Sequence, residues 1–325
     1  MRSVTPVFLL SLPRSGSTFV QRVLATHPAI ATTGEPWILL PLLYSLRSRG
    51  VYAEYGHEWA TIAIEDFCAR LPRGESDYRE EVRAFALRLY AKAAGGEHRY
   101  FLDKTPRYHL VIDELLELFP EARFIFLWRS PPAVVASIVE SWGKGRWGVC
   151  DYNIDLYVGL ANLVRAYQRR PDAVCAMRYE DLIERPSEAW PRAFAHLGLE
   201  YHPSLLDRFG EVALSERVGD QAGRRRYAAP SPEPLAKWQR VLTNPIRKAW
   251  CRRYLRWIGA ERLRVMGYDL ADLQRQLEAA PSTLARMSSD PFYMLWDAAY
   301  AALELRFVHD KYFKPAIVPR LTPHH

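Results

Sequence analysis

Cysteine is sparse in these 325 residues, and its four positions, Cys68, Cys150, Cys175 and Cys251, are far apart with no C-x-x-C pair. That pattern excludes a disulfide framework and offers no zinc-ligand spacing. The nine histidines show no ligand spacing either, so no metal is expected. Long apolar runs are also missing. The longest, Pro36 to Leu46, is interrupted by Pro41 and falls short of the roughly 20 residues that cross a bilayer. The stretch Val7 to Leu12 is too short for a signal peptide and Arg14 follows closely, so a cytoplasmic protein without a membrane span is expected. Lysine is scarce, supplying 7 of the 44 basic residues, which makes each lysine inside a motif more informative. The preference for arginine and alanine suits a GC-rich bacterial coding sequence.

Of what is present, the segment Leu9 to Thr18 is the most telling. Val7 to Leu10 are apolar at consecutive positions, as in a strand buried on both faces, while Phe19, Val20, Val23 and Leu24 follow at helical spacing. Between them lies Pro13-Arg14-Ser15-Gly16-Ser17-Thr18. Free N–H groups at a helix N-terminus, hydroxyls and one cation make a cradle for phosphate or sulfate. Laid over the P-loop pattern G-x-x-x-x-G-K-[ST], the segment matches at Gly16 and Thr18 only; Ser11 replaces the first glycine and Ser17 the lysine. No neighbouring strand ends in a plain Walker B aspartate, which weakens a nucleoside triphosphatase reading. Alone, the segment suits an ordinary serine-rich turn equally well.

A second strand-to-helix junction runs from Arg123-Phe124-Ile125-Phe126-Leu127-Trp128 through Arg129-Ser130-Pro131-Pro132 into Ala133 to Ile138. Pro132 marks the expected helix start, because proline in the first turn gives up only an N–H that has no partner there. Arg129 then sits at the carboxyl end of a strand, where open parallel sheets bind ligands.

With Arg129 and Ser137 eight residues apart, Asp103-Lys104-Thr105-Pro106 between the two junctions, and Arg178-Tyr179-Glu180-Asp181-Leu182 after the apolar run Ala173 to Met177, the chain resembles the sulfotransferases that use 3′-phosphoadenosine 5′-phosphosulfate (PAPS). The motifs occur in that family's order, and the resemblance extends from Val7 to about Asp269. It implies a P-loop-like, three-layer α/β fold with a central parallel sheet flanked by helices. Arg14, Ser15, Gly16, Ser17 and Thr18 would hold the 5′-phosphosulfate, Arg129 and Ser137 the 3′-phosphate, and Tyr179 would lie against the adenine. Lys237 in Ala236-Lys237-Trp238 and, less securely, Arg225 in Arg224-Arg225-Arg226 resemble a segment closing over the nucleotide.

Within the family the chain looks more like the tyrosylprotein and carbohydrate branches than the cytosolic phenol and steroid enzymes. The latter resemble Lys-Thr-His at the middle motif, with the histidine as base, and here Pro106 stands in its place. The tyrosylprotein branch uses a glutamate soon after the loop helix, which corresponds to Glu35 in Gly34-Glu35-Pro36. Glu35 is therefore the candidate base and His109 the reserve. Lys104 would stabilise charge on the departing oxygen.

The chain is expected to form one domain over residues 1–325, with a helical insertion over about 41–94 and a C-terminal helical extension over about 270–325. In the insertion, Trp59, Ile62, Ala63 and Phe67, then Val82, Phe85, Ala86 and Leu89, read as core stripes that also suit the roof of an acceptor site. A further helix, Phe292 to Phe313, is expected to pack on the domain. The net charge of +7 and pI near 9.2 favour an anionic donor. A nucleic-acid-binding protein is disfavoured, since the informative arginines stand singly at strand ends rather than along one aromatic-lined surface. A kinase-like phosphotransferase remains the nearer alternative. The acceptor, whether glycan, lipid-linked sugar, small alcohol or phenol, or tyrosine, stays open.

Overall fold

The computed structural model describes residues 3–214 and 233–303. Five parallel strands, β1 (Thr5–Ser11), β2 (Ile30–Thr32), β3 (Tyr100–Asp103), β4 (Arg123–Trp128) and β5 (Val174–Arg178), form one sheet in the order β2-β3-β1-β4-β5. In the central strand β1, Val7 lies opposite Leu102 of β3, and Leu9 lies opposite Ile125 of β4. Because successive side chains alternate between faces, the unbroken apolar run of β1 serves two cores. Phe8 and Leu10 join Phe101, Phe126 and Trp128 on one face, while Val7 and Leu9 join Leu102, Ile125 and Leu127 on the other.

Helices cover both faces. The second core is closed by α1 (Ser17–Leu24), by α8 (Tyr179–Glu184) and α9 (Pro186–His196) with Leu182, Trp190 and Phe194, and by Leu205 of α10 (Ser204–Arg208). The first is closed by α2 (Leu39–Tyr44), α4 (Glu75–Ala93), α5 (Ile112–Leu118), α6 (Pro131–Ser141), α7 (Leu160–Arg169), α11 (Pro245–Val265, broken at Gly259) and α12 (Leu270–Ala279). Helix α6 begins at Pro131, one residue before the expected Pro132, so both prolines fall in the first turn where their missing N–H is harmless.

The insertion contains α2, α3 (His57–Cys68) and α4, but only part of its expected stripes enters the core. On α4 the buried row is Val82, Ala86 and Tyr90, four residues apart, which leaves Phe85 and Leu89 exposed. On α3 the expected stripe faces solvent, with Trp59 76 % and Phe67 61 % exposed. Its packed side carries polar groups instead: the His57 ring bonds to the Arg47 carbonyl at 2.8 Å, and Thr61 is buried beside it. The last described helix, α13 (Asp290–Ala302), is anchored at its start, where buried Asp290 accepts two hydrogen bonds from Arg247, at 2.6 and 2.9 Å. Beyond that anchor Phe292, Leu295 and Trp296 are exposed, so the expected packing is confined to part of this helix. The remainder of the expected helix lies outside the described residues.

Candidate active site

In a parallel sheet every strand ends on the same edge, and here that edge gathers the segments Pro13 to Thr18, Asp103 to Pro106, Arg129 and Arg178 to Leu182. The loop after β1 turns through Arg14, at φ 66°, and Gly16, at φ 91°, before α1 starts at Ser17. A side chain at Gly16 is barred twice, since a Cβ there would lie 2.4 Å from the Tyr179 ring and the backbone is left-handed. As the first residues of α1, Ser17 and Thr18 have N–H groups without intrahelical acceptors. The Ser15 side chain is buried and its N–H closes the turn onto the Leu12 carbonyl at 3.3 Å.

Arg129, one residue past β4, braces this loop from beneath. Its Nη1 donates to the Arg14 carbonyl at 2.8 Å and its Nη2 to the Pro234 carbonyl at 3.1 Å. The guanidinium lies 4.5 Å over the Tyr179 ring, and buried Nε has no hydrogen-bond partner among the described residues. Tyr179, expected beside an adenine, is thus buried between Gly16 and Arg129. Ser137, expected to share an anion with Arg129, accepts from Arg14 Nε at 3.3 Å, and Ser141 one turn on accepts from Arg14 Nη2 at 2.8 Å. Trp142 completes the seat, with the Arg14 guanidinium 5.2 Å from its ring.

The carboxylate and the ammonium meet. Lys104 Nζ, fully buried at the end of β3, donates to Glu35 Oε1 at 2.6 Å and lies 3.4 Å from Thr18 Oγ1 of the anion loop. The Trp37 indole donates to Glu35 Oε2 at 3.0 Å. Gln21 of α1 holds the same loop, donating to Thr32 Oγ1 at 2.8 Å and to the carbonyls of Thr33 and Gly34 at 2.6 and 3.2 Å.

His109, the reserve base, is withdrawn. Its ring is fully buried, Nε2 lies 2.8 Å from Asp155 Oδ1, and Gly159 sits directly against it, so no acceptor hydroxyl reaches it. Lys237 is paired with Glu140 of α6 at 2.7 Å. Arg224, Arg225 and Arg226 lie outside the described residues.

Three residues that the sequence reading did not single out shape the site. Glu180 accepts from the Ser130 N–H at 3.0 Å and from the Tyr268 hydroxyl at 2.6 Å, tying α8 to the start of α6. Asp103 is fully buried among hydroxyls, and burial outweighs their hydrogen bonds and the charge of Lys104, pushing its carboxyl up to about 6. Trp37 takes φ 57°, an uncommon backbone for an aromatic residue. Asp103 and Glu180 stood inside motifs without a role assigned to them, while Trp37 reaches the site through a turn that no periodicity reports. Among the described residues no group of three or more His, Cys, Asp or Glu side chains is placed to hold a metal ion, and no helix is long and apolar enough to cross a membrane.

A loop of N–H donors at the strand ends, the Arg129 guanidinium against it and the buried Glu35–Lys104 pair beside it thus share one edge of the sheet. The model described as the sulfotransferase family matches residues 6–203, more than half of the chain, and the chain belongs to that family. It is 34 % identical over 274 residues to nodulation protein NoeE of Sinorhizobium fredii, covering 74 % of this chain and 62 % of that one. It is 23 % identical over 307 residues to protein-tyrosine sulfotransferase 1 of Danio rerio, covering 88 % and 72 % respectively. The chain thus spans less than two thirds of NoeE. Among solved structures, the sulfotransferase domain of a Synechococcus olefin synthase aligns with a TM-score of 0.48 at 23 % identity, over 74 % of this chain and 89 % of that one.

Proposed function

We propose that this protein transfers the sulfuryl group of PAPS to an acceptor hydroxyl. The observation that carries the reading is the 2.6 Å meeting of Glu35 and Lys104 beside Thr18, which puts a proton acceptor and a cation at the mouth of one anion cradle. The cradle suits a donor with more than one anionic group. Ser17 and Thr18 supply N–H groups, Arg14 supplies charge held in place by Ser137, Ser141 and Trp142, and Arg129 retains an Nε donor without a hydrogen-bond partner among the described residues.

The donor contributes a sulfuryl group activated by its anhydride link to phosphate. Glu35 accepts the proton of the attacking hydroxyl as the new O–S bond forms. Lys104 answers the charge that appears on the bridging oxygen as the old O–S bond breaks. The two roles are linked by geometry. As Glu35 takes up a proton its attraction for the ammonium falls, and Lys104 is released toward the leaving oxygen. The cover of Trp37 and the burial of both groups limit competing water. The relative from Danio rerio is named for protein tyrosine, and a phenolic, alcoholic or glycan hydroxyl all present the proton that Glu35 would receive.

The kinase-like alternative is tested by ligand stabilisation. 3′-Phosphoadenosine 5′-phosphate (PAP) is expected to raise Tm in a titration, and ATP with Mg²⁺ to do so far less, because no lysine stands at Ser17 to meet a triphosphate. Equal or greater stabilisation by ATP favours phosphoryl transfer.

Arg129→Ala is expected to weaken PAP binding by about 2 kcal/mol or more, the scale of a lost charge-assisted contact. Part of that loss comes through the loop itself, since Arg129 also holds the Arg14 carbonyl. Calorimetry with PAP measures it, and unchanged affinity in a folded variant removes Arg129 from the donor site.

A further inference from the structure

Glu35 lies three residues past β2 and Lys104 one residue past β3, so the β2-β3 ladder brings their segments together but ends before either residue. Their 2.6 Å contact therefore needs a common mount, and one continuous chain of hydrogen bonds supplies it. Asp103, wholly buried, accepts from the Tyr90 hydroxyl of α4 at 2.6 Å, the Tyr108 hydroxyl at 3.0 Å and Thr105 Oγ1 at 2.9 Å. Thr105 Oγ1, its proton given to Asp103, accepts the Trp37 backbone N–H at 3.3 Å. The indole of the same Trp37 donates to Glu35 at 3.0 Å. The Tyr108 oxygen likewise accepts the Leu39 N–H at 3.3 Å, so the segment from Trp37 to Leu39 is held at two points from this one carboxylate.

We propose that Asp103 is the positioning residue of the Glu35–Lys104 pair, acting through Thr105 and Trp37 to hold the Glu35 carboxylate against the lysine. The proposal rests on the sulfuryl-transfer reading for its kinetic consequence, but the linkage itself does not depend on that reading. An ionised Asp103 has no proton, so all three hydroxyls must point toward it, which fixes Thr105 as donor to Asp103 and acceptor from Trp37. A protonated Asp103 must donate, and one of the hydroxyls turns away. The charged and titratable groups facing Asp103 are Tyr90 from α4, Tyr108 from the turn Pro106–Leu110 and Lys104 from its own strand end. Both tyrosines are held well above their ordinary range by burial first, then by the Asp103 charge, so neither ionises as Asp103 does. Burial pushes Asp103 up to about 6, which places the change of state within the working range of an enzyme.

The experiment reads the Trp37 indole N–H by nitrogen–proton correlation NMR, assigned as the peak missing from Trp37→Phe, alongside kcat, KM and PAP affinity. In the wild type this resonance is expected to titrate with a midpoint near 6. The titration should persist in Glu35→Gln, whose amide oxygen still accepts the indole proton, and vanish in Asp103→Asn. Asp103→Asn is expected to lose at least tenfold in kcat while binding PAP within about twofold of wild type. Thr105→Val should shift the indole peak and lower kcat, and Thr105→Ser, which restores the hydroxyl, should recover both; this pair decides the matter even if Asp103→Asn fails to fold. A titration lost in Glu35→Gln but kept in Asp103→Asn overturns the proposal. So does a kcat within twofold of wild type in Asp103→Asn or Thr105→Val, or a parallel collapse of kcat and PAP affinity. A wild-type protein that transfers no sulfuryl group defeats the functional reading and leaves the indole titration to judge Asp103 alone.

Discussion

Glu35→Gln is expected to bind PAP within about twofold of wild type and to lose roughly 10² to 10⁴ in kcat, the usual loss when a general base is removed. The amide fills the same space and its oxygen still faces the Trp37 indole, so the loop keeps its seat. What it cannot do is take a proton from an acceptor hydroxyl. The substitution also leaves the fully buried Lys104 ammonium opposite a neutral group, and breaking a buried pair by removing one charge is costly. A fall in Tm is therefore expected together with the kinetic defect. PAP should recover part of that fall, because bound phosphate supplies negative charge near the lysine. Stopped-flow or single-turnover assays with saturating acceptor separate chemistry from release. Near wild-type turnover under those conditions means that the base lies elsewhere, and the His109 ring, fully buried, is out of reach of an acceptor as its replacement.

The sheet and its anion loop were legible because each depends on a short stretch of chain. Val7 to Leu10 is apolar at every position, which only a doubly covered strand requires, and the glycine of Ser15-Gly16-Ser17 stands where a left-handed turn must open a helix. Glu35 and Lys104 were legible through family resemblance and not through spacing, since 69 residues separate them and only the β2-β3 pairing brings their strand ends together.

What the sequence left hidden has a common physical cause. A helical stripe reports which face of a helix is apolar, not whether a partner covers it, and on α3 the covered face carries His57 and Thr61 while Trp59 and Phe67 face water. Likewise, Arg129 and Ser137 lie eight residues apart on one strand-to-helix unit, which says nothing of the Arg14 side chain that arrives from β1 and takes the serine hydroxyl. Lys237 is drawn to Glu140 for the same reason: the pairing partner of a long cation is set by tertiary neighbours. Asp103 was visible as a letter in Asp103-Lys104-Thr105-Pro106, but its three hydroxyl donors come from residues 90, 105 and 108, and only the folded chain shows them converging.

Lys104→Ala is expected to lower kcat by about 10² to 10³, the scale of removing one preorganised group that meets developing charge. Because the ammonium is assigned to the departing oxygen, the defect should shrink with the basicity of the leaving group. It should be larger with PAPS than with a dinitrophenyl sulfate, an aryl sulfate whose phenolate is less basic than the phosphate that departs from PAPS. The substitution also strips Glu35 of its 2.6 Å partner, leaving the Trp37 indole as its hydrogen-bond donor among the described residues, so some loss arises at the base as well. A double-mutant cycle separates the two contributions. If Lys104 acts only by seating Glu35, then Glu35→Gln combined with Lys104→Ala loses no more than Glu35→Gln alone, with either donor. If it also meets the leaving oxygen, the double variant is slower than Glu35→Gln with PAPS and nearly equal to it with the aryl sulfate. A defect of equal size for both donors in every background would remove Lys104 from the leaving-group side of the reaction and assign its whole effect to the carboxylate that it holds.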